Sequence, residues 1–297
     1  MKIAIITGRR PHHKNLCVQL AERHELVAVI HPTRSASSGM ATVRRRDLRA
    51  LGLTHTMLRV MARLPGGLSG WRRSIDSEEV ARHFSEAEAA YSRLDATTIH
   101  DLDPNGAEAI DLIRAASPRV VVCLGGPVFR KALIDACPLM LNFHSGLSPL
   151  YNGASAIDFA YANGHPHLCG GTLMVMSPVV DGGDILAHLL PAIEESDTPG
   201  TLFAKCVAGC VTAFDRFLEA HAAGEPFARA PQPPPLFYSR GRDWTAYHAH
   251  QVARHVELGT ARKFVRAEDL VEYWRAPDDG EATRRVSETV LRLLRLQ

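Results

Sequence analysis

Between residues 141 and 149 the chain reads Leu141-Asn142-Phe143-His144-Ser145-Gly146-Leu147-Ser148-Pro149, which leaves a strand and enters a turn. Side chains alternate along a strand, so Asn142 and His144 share one face while Leu141 and Phe143 take the other. An amide that can donate to a developing oxyanion then stands beside an imidazole that exchanges protons near neutrality. A carboxylate that completes the set lies 39 residues further on, in Val179-Val180-Asp181-Gly182-Gly183-Asp184, where two glycines permit a tight turn. Asp181 can fix the imidazole or draw a proton from an attacking amine. The three roles together describe acyl transfer. Taken singly, His144 is a packed or surface histidine, Asp181 a turn former and Asp184 a cap.

Other chemistries fail on spacing. Fifteen histidines suggest a metal, yet His248 and His250 are two apart on an expected helix and face nearly opposite ways, and His165 and His167 flank Pro166 without neighbouring Cys or acids. Cys206 and Cys210 share a helix face, but two thiols do not make a zinc site. No metal is expected. Gly153-Ala154-Ser155-Ala156-Ile157 lacks the second glycine of a nucleophile elbow, which argues against a serine hydrolase.

The elements that must position Asn142, His144 and Asp181 are legible as alternating strands and helices. Lys2 to Thr7, Asn15 to Ala21 and Glu25 to Ile30 read strand, helix, strand. A second unit has helix Ala107 to Ala116, strand Arg119 to Leu124, helix Val128 to Ala136 and strand Leu139 to His144. The run Val120-Val121-Val122-Cys123-Leu124 suits a central parallel strand covered on both faces. Asn142 and His144 thus fall at a strand's carboxyl end, where open α/β sheets bind ligands. Strands Gly170 to Met176 and Asp184 to Pro191 follow, then a helix from about Thr198 to Ala223, started by Asp197-Thr198-Pro199. The fold class is α/β, a mostly parallel sheet with helices on both faces and a small, mostly helical C-terminal tail.

Residues 1–225 are read as the catalytic domain, and 226–297 as a Pro-rich linker (Pro226, Pro231, Pro233, Pro234, Pro235) followed by a helical extension. Residues of about 35–95 form an insertion with some helical periodicity. From Arg34 to Arg73 this insertion carries nine arginines against one acid, Asp47. It is either a solvated helical face or a surface for a phosphate-bearing partner, and Trp71 alone makes no aromatic platform for nucleic acid.

Composition sets the outer limits. With 297 residues, 46% hydrophobic and 22% charged, the chain can bury a substantial core, and disorder or a collagen-like repeat is excluded. A net charge of +2 gives no global attraction to nucleic acid. Six cysteines without a C-x-x-C pair read as reduced thiols. The longest uncharged run late in the chain, Leu168 to Val180, has 13 residues, short of the roughly 20 that span a bilayer. The first residues form a strand rather than a signal segment. A cytoplasmic protein without membrane contact is expected.

The set Asn142-x-His144 with Asp181 and Gly183 resembles the folate-dependent formyltransferase family, which includes glycinamide ribonucleotide, methionyl-tRNA and sugar-amine formyltransferases. Ser148-Pro149-Leu150-Tyr151-Asn152-Gly153-Ala154 and the Asp-Gly-Gly-Asp-Ile-Leu run are supporting matches. The resemblance covers residues 100–220 well and 1–30 loosely, and implies a Rossmann-like sheet. It also implies formyl transfer from 10-formyltetrahydrofolate, a co-substrate, to a primary amine. The pterin would lie against Gly125, Gly126, Pro127, Val128 and Phe129 and against Val179 and Val180, although Phe129 also reads as core. The acceptor side is assigned Arg9 and Arg10, in the first strand-to-helix loop, with Ser145 and Gly146 at the turn out of the catalytic strand.

Two departures bear on the acceptor. Asn152 stands where the family commonly has Arg, and the loop Gly8-Arg9-Arg10-Pro11-His12-His13 lacks the small polar character that holds phosphate in glycinamide ribonucleotide enzymes. The tail, with Trp244 to Trp274 reading as helix, is unlike the β-barrel that methionyl-tRNA enzymes append. The expected acceptor is therefore an amino sugar or another small natural-product amine, with or without a phosphate. Purine-type transfer is the alternative, a folate-binding module without catalysis is the third reading, and a homodimer is left open.

Overall fold

The computed structural model describes residues 1–33 and 77–296, so the arginine-rich stretch from Arg34 to Arg73 lies outside the described residues. Eight strands form one sheet in the order β10-β8-β7-β5-β4-β1-β2-β3. They are β1 (Lys2–Thr7), β2 (Glu25–Pro32), β3 (Ile99–Leu102), β4 (Val120–Leu124), β5 (Met140–His144), β7 (Gly171–Val175), β8 (Ile185–Leu190) and β10 (Asp269–Glu272). β1 to β5 run parallel, whereas β7, β8 and β10 add three antiparallel pairings. A separate pair joins β6 (Tyr151–Gly153) to β9 (Phe237–Ser239). The sheet is mostly parallel and Rossmann-like, with every residue of β4 buried as its unbroken apolar run requires.

The expected strands and helices of both βαβ units are present, with one shift that matters. The helix expected from Val128 begins instead at Lys131 and ends at Ala136. Arg130 is extended, and Asn105 explains why: its Nδ2 donates to Val128 O (3.1 Å) and its Oδ1 accepts from Arg130 N (2.7 Å). These bonds hold residues 125–130 as a loop. The helix after Thr198 spans Pro199–Ala222, with the Thr198 hydroxyl accepting from Thr201 N. In the insertion, the described part forms helices Ser77–His83 and Ala87–Tyr91.

The C-terminal extension contains helices Ala246–Glu257 and Asp279–Leu294 and also two strands that the sequence reading had as helix or linker. β10 pairs antiparallel with β8 and extends the main sheet. Tyr273 and Trp274 are fully buried, the indole edge-on to Phe217 at 5.5 Å. The Arg266 guanidinium donates to the carbonyls of Pro191, His167 and Cys169 at 2.8–3.0 Å, tying the extension to the start of β7. His188 on β8 has its Nε2–H on Ser148 O (2.7 Å) while its Nδ1 accepts from the Tyr273 hydroxyl (2.9 Å). Among the described residues, no helix is long and apolar enough to cross a membrane.

Two stability predictions come from this packing. Trp274→Ala should cost about 3–5 kcal/mol, the usual range for a buried aromatic, read from urea denaturation; an unchanged midpoint would show that the extension is not part of the core. Burial also holds the His12, His167 and His188 imidazoles down to about 4, with Arg10 adding for His12 and His165 and Arg266 adding for His167. The unfolded chain protonates these groups near their ordinary value of 6.5 and the folded chain does not, so stability is complete above about pH 6.5 and falls as pH drops toward 4. The slope approaches roughly 1 kcal/mol per pH unit for each histidine. A urea midpoint that holds steady or rises between neutral pH and about pH 5 contradicts this.

Candidate active site

Asn142 and His144 lie on one face of β5, as strand alternation requires, with Asn142 half-buried and His144 8% exposed. The position of Asp181 is less obvious. β7 pairs with β5 antiparallel, and its last residue, Val175, lies opposite Leu141, away from His144. The connection 176–184 to β8 nevertheless brings Asp181 back, so that its Oδ1 lies 3.4 Å from His144 Nδ1. On the other side of the ring, His144 Nε2 is 3.1 Å from Tyr151 O. A carbonyl can only accept, so Nε2 is the ring nitrogen that donates to Tyr151 O, which leaves Nδ1 facing the carboxylate.

Asp181 is held by its backbone as well as its side chain. Its φ is +51°, a conformation uncommon for a non-glycine residue. Its second carboxylate oxygen accepts from Gly153 N (2.9 Å), and its carbonyl accepts from Asn152 Nδ2 (2.8 Å) and Gln232 Nε2 (2.8 Å). Gly153 has φ +94°, and a Cβ there would collide with Ser239 O on β9, so glycine alone lets this amide reach the carboxylate.

Every residue expected to face the pterin lines one cleft of about 160 Å³. Gly125, Gly126, Pro127, Val128 and Phe129 form one wall, Met176 to Asp181 the other, and Asn142 opens into it between them. Val128 is 63% exposed and Val179 67%, so the lining presents two apolar side chains to solvent. Phe129, by contrast, is 7% exposed and packs into the core beneath β4, so it serves both as wall and as core. The volume is smaller than the roughly 300–1,000 Å³ that encloses a drug-sized ligand. It suits a flat ring head whose tail remains outside.

The acceptor-side expectations fare differently. Arg9 is paired with Asp101, its guanidinium reaching both carboxylate oxygens at 2.6 Å, so it is not an open anion site. Arg10 is exposed and caps the helix Pro11–Ala21, its backbone N–H donating to His13 Nδ1 (3.3 Å). Ser145 is half-buried. Gly146 is buried, and a Cβ there would collide with His144 Nε2 and Tyr151 O, so it provides clearance for their hydrogen bond rather than a contact to the acceptor. His13 packs against Gly8 and lies near Gly125, between the ends of β1 and β4, with its basicity pushed down to about 2 by burial and by His12, Arg10 and His31. It remains neutral and occupies the crevice where the strand order reverses.

Sequence reading did not find four contributors: Asn105, the carbonyl of Tyr151, the Asn152 amide and Gln232. In the sequence Asn152 stands out only as a departure from Arg, and Gln232 lies among prolines that read as a linker. No group of three or more metal-ligating side chains is gathered among the described residues.

Residues 60–209 match the formyl transferase family. Among curated relatives, the methionyl-tRNA formyltransferase of Streptococcus suis (strain 05ZYH33) is 31% identical over 131 residues, 43% of this chain and 42% of that protein. That of Streptococcus sanguinis (strain SK36) is 34% identical over 95 residues, 32% of this chain and 30% of that protein. The chain thus spans less than half the length of these relatives. Two solved structures share the fold at a TM-score of 0.50 each. One is a 4-N formyltransferase from Francisella tularensis, 15% identical, covering 82% of this chain and 77% of that one. The other is WlaRD, a sugar 3N-formyl transferase in the presence of dTDP and 5-N-formyl-THF, 12% identical, covering 86% and 79%. At such identities they speak for the fold alone. The family match spans half of the chain, including residues 125–130, the Asn142–His144 strand and the Asp181 turn, and by it this protein belongs to the formyl transferase family.

Proposed function

We propose that the protein is an N-formyltransferase that moves a formyl group from 10-formyltetrahydrofolate to a primary amine, with an amino sugar as the acceptor class. The observation that carries this reading is the cleft between Gly125–Phe129 and Val179–Asp181, because Asn142 and Asp181 both line it and His144 lies 3.4 Å from Asp181, a set suited to acyl transfer. The donor supplies an activated one-carbon acyl group. Asn142 donates to the oxygen that becomes negative as the amine adds to the formyl carbon. Asp181, beside His144, takes up the proton that the amine loses as the new N–C bond forms, and the pair returns one proton to the folate nitrogen as the old C–N bond breaks. Tyr151 O keeps the imidazole from rotating away. Exposed Val128 and Val179 cover the ring head and exclude water.

Residues 1–225 carry this chemistry and 226–297 buttress it. WlaRD acts, by its name, on a sugar amine, and the described extension has no barrel-like set of strands, which supports a small acceptor over tRNA. Arg10 and Ser145 remain available to it, and a phosphate on the acceptor suits Arg10. The curated relatives give methionyl-tRNA as a second reading, through the names of proteins matched over less than half their length.

Turnover of 10-formyltetrahydrofolate with a dTDP-linked amino sugar, glycinamide ribonucleotide and methionyl-tRNA separates the acceptors. The amino sugar should be formylated and the others should not; exclusive turnover of either other amine refutes the acceptor class, and no turnover with any of them refutes transfer.

With the accepted amine, Asn142→Ala and His144→Ala should each lower kcat roughly a hundredfold to a thousandfold, the usual effect of removing an oxyanion donor. Asp181→Asn, which preserves the turn but removes the charge, should also lower kcat. Near-normal turnover by Asp181→Asn would make Asp181 a turn former only.

A further inference from the structure

Residues 231–235 read Pro-Gln-Pro-Pro-Pro. Proline fixes its own φ and steers the preceding residue to extended backbone, so Gln232, held between Pro231 and Pro233, has few conformations to lose. Just before it, Ala230 exchanges two backbone hydrogen bonds with Ile185 (2.8 and 3.0 Å), which seats the run against the start of β8, directly after the Asp181 turn. From there Gln232 Nε2 donates to Asp181 O (2.8 Å) and to Gly183 O (2.5 Å). Its Oε1 accepts from Asn152 Nδ2 (3.2 Å), whose amide also donates to Asp181 O. Turning either amide around would set oxygen against oxygen, so the carbonyls fix both orientations. Asn152 has both amide hydrogens committed and is 1% exposed, leaving it nothing with which to replace Gln232.

We propose that Gln232 is a positioning residue for formyl transfer, a clamp by which the C-terminal extension holds the Asp181 turn so that its carboxylate meets His144. It touches no substrate and acts only through Asp181. The inference rests on the reading of Asp181 as part of the transfer machinery. An amide is required because the site presents two carbonyl acceptors and one N–H donor to a single side chain. Methionine fills the same space but has no donor, and glutamate sets a carboxylate against two carbonyls.

The test uses the full chain, with formyl transfer to a dTDP-linked amino sugar as probe reaction and hydrogen–deuterium exchange as a readout independent of activity. In Gln232→Met, exchange across residues 176–185 should rise tenfold or more, while β1 and β4 exchange as in the parent. The same variant should lose tenfold or more in kcat with a smaller change in KM for 10-formyltetrahydrofolate, and in the Asp181→Asn background it should cost almost nothing further. Unchanged exchange in the turn overturns the clamp whatever the substrate. Faster exchange with parental kcat overturns its role in catalysis, as does an equal loss in both backgrounds. If Gln232→Met does not fold, Gln232→Glu, of the same size, must meet the same criteria. A parent that formylates no amine contradicts the transfer reading, and the exchange result then judges the clamp alone.

Discussion

Asp181 has to lie in a left-handed turn, and a non-glycine residue there costs about 1–2 kcal/mol. The turn is paid for by hydrogen bonds from three directions: Gly153 N to the carboxylate, and the Asn152 and Gln232 amides to the carbonyl. Each neutral bond of this kind is worth about 1 kcal/mol net, enough to offset the conformation. What the arrangement gains is a carboxylate whose two oxygens have different partners, one on the backbone of β6 and one on His144. Since His144 is fixed from behind by Tyr151 O on the same β6, the strand Tyr151–Gly153 orients both members of the His144–Asp181 pair.

β6 in turn depends on the C-terminal extension. β9 pairs with it, and Ala154 N donates to Ser239 O (2.9 Å). The Phe237 ring packs on Tyr151 and Phe159 at 5.2 and 5.5 Å. Tyr273 also reaches His188, and His188 reaches Ser148 in the loop that leaves β5. The extension is thus joined to the candidate site through backbone pairing, aromatic packing and a buried neutral imidazole.

What could be read from the sequence follows the range of each interaction. Asn142 and His144 were legible because strand alternation is a local rule, and the walls of the cleft were legible because Gly125–Phe129 and Val179–Asp181 are contiguous segments. Arg9 was not, because its partner Asp101 sits 92 residues away on β3, a four-residue strand whose Ile-His-Asp-Leu has no clear period. β10, with the sequence Asp-Leu-Val-Glu, is as short and reads equally well as one turn of helix. Gln232 was hidden by its neighbours: prolines that mark a spacer in an isolated chain become, once Ala230 is paired with Ile185, the rigid support of a side chain. Gly146 looked like a ligand contact because it adjoins His144, and it is instead the space that the His144–Tyr151 bond needs.

The central claim is that one cleft takes the folate head and presents its formyl group to Asn142, His144 and Asp181. A crystal structure of the protein with 5-formyltetrahydrofolate tests it most directly. The pterin should lie between Gly125–Phe129 and Val179–Asp181, with the formyl group within about 4 Å of the Asn142 amide and on the same side as His144. A pterin bound elsewhere, or in the cleft with its formyl group turned away from Asn142, would contradict the account.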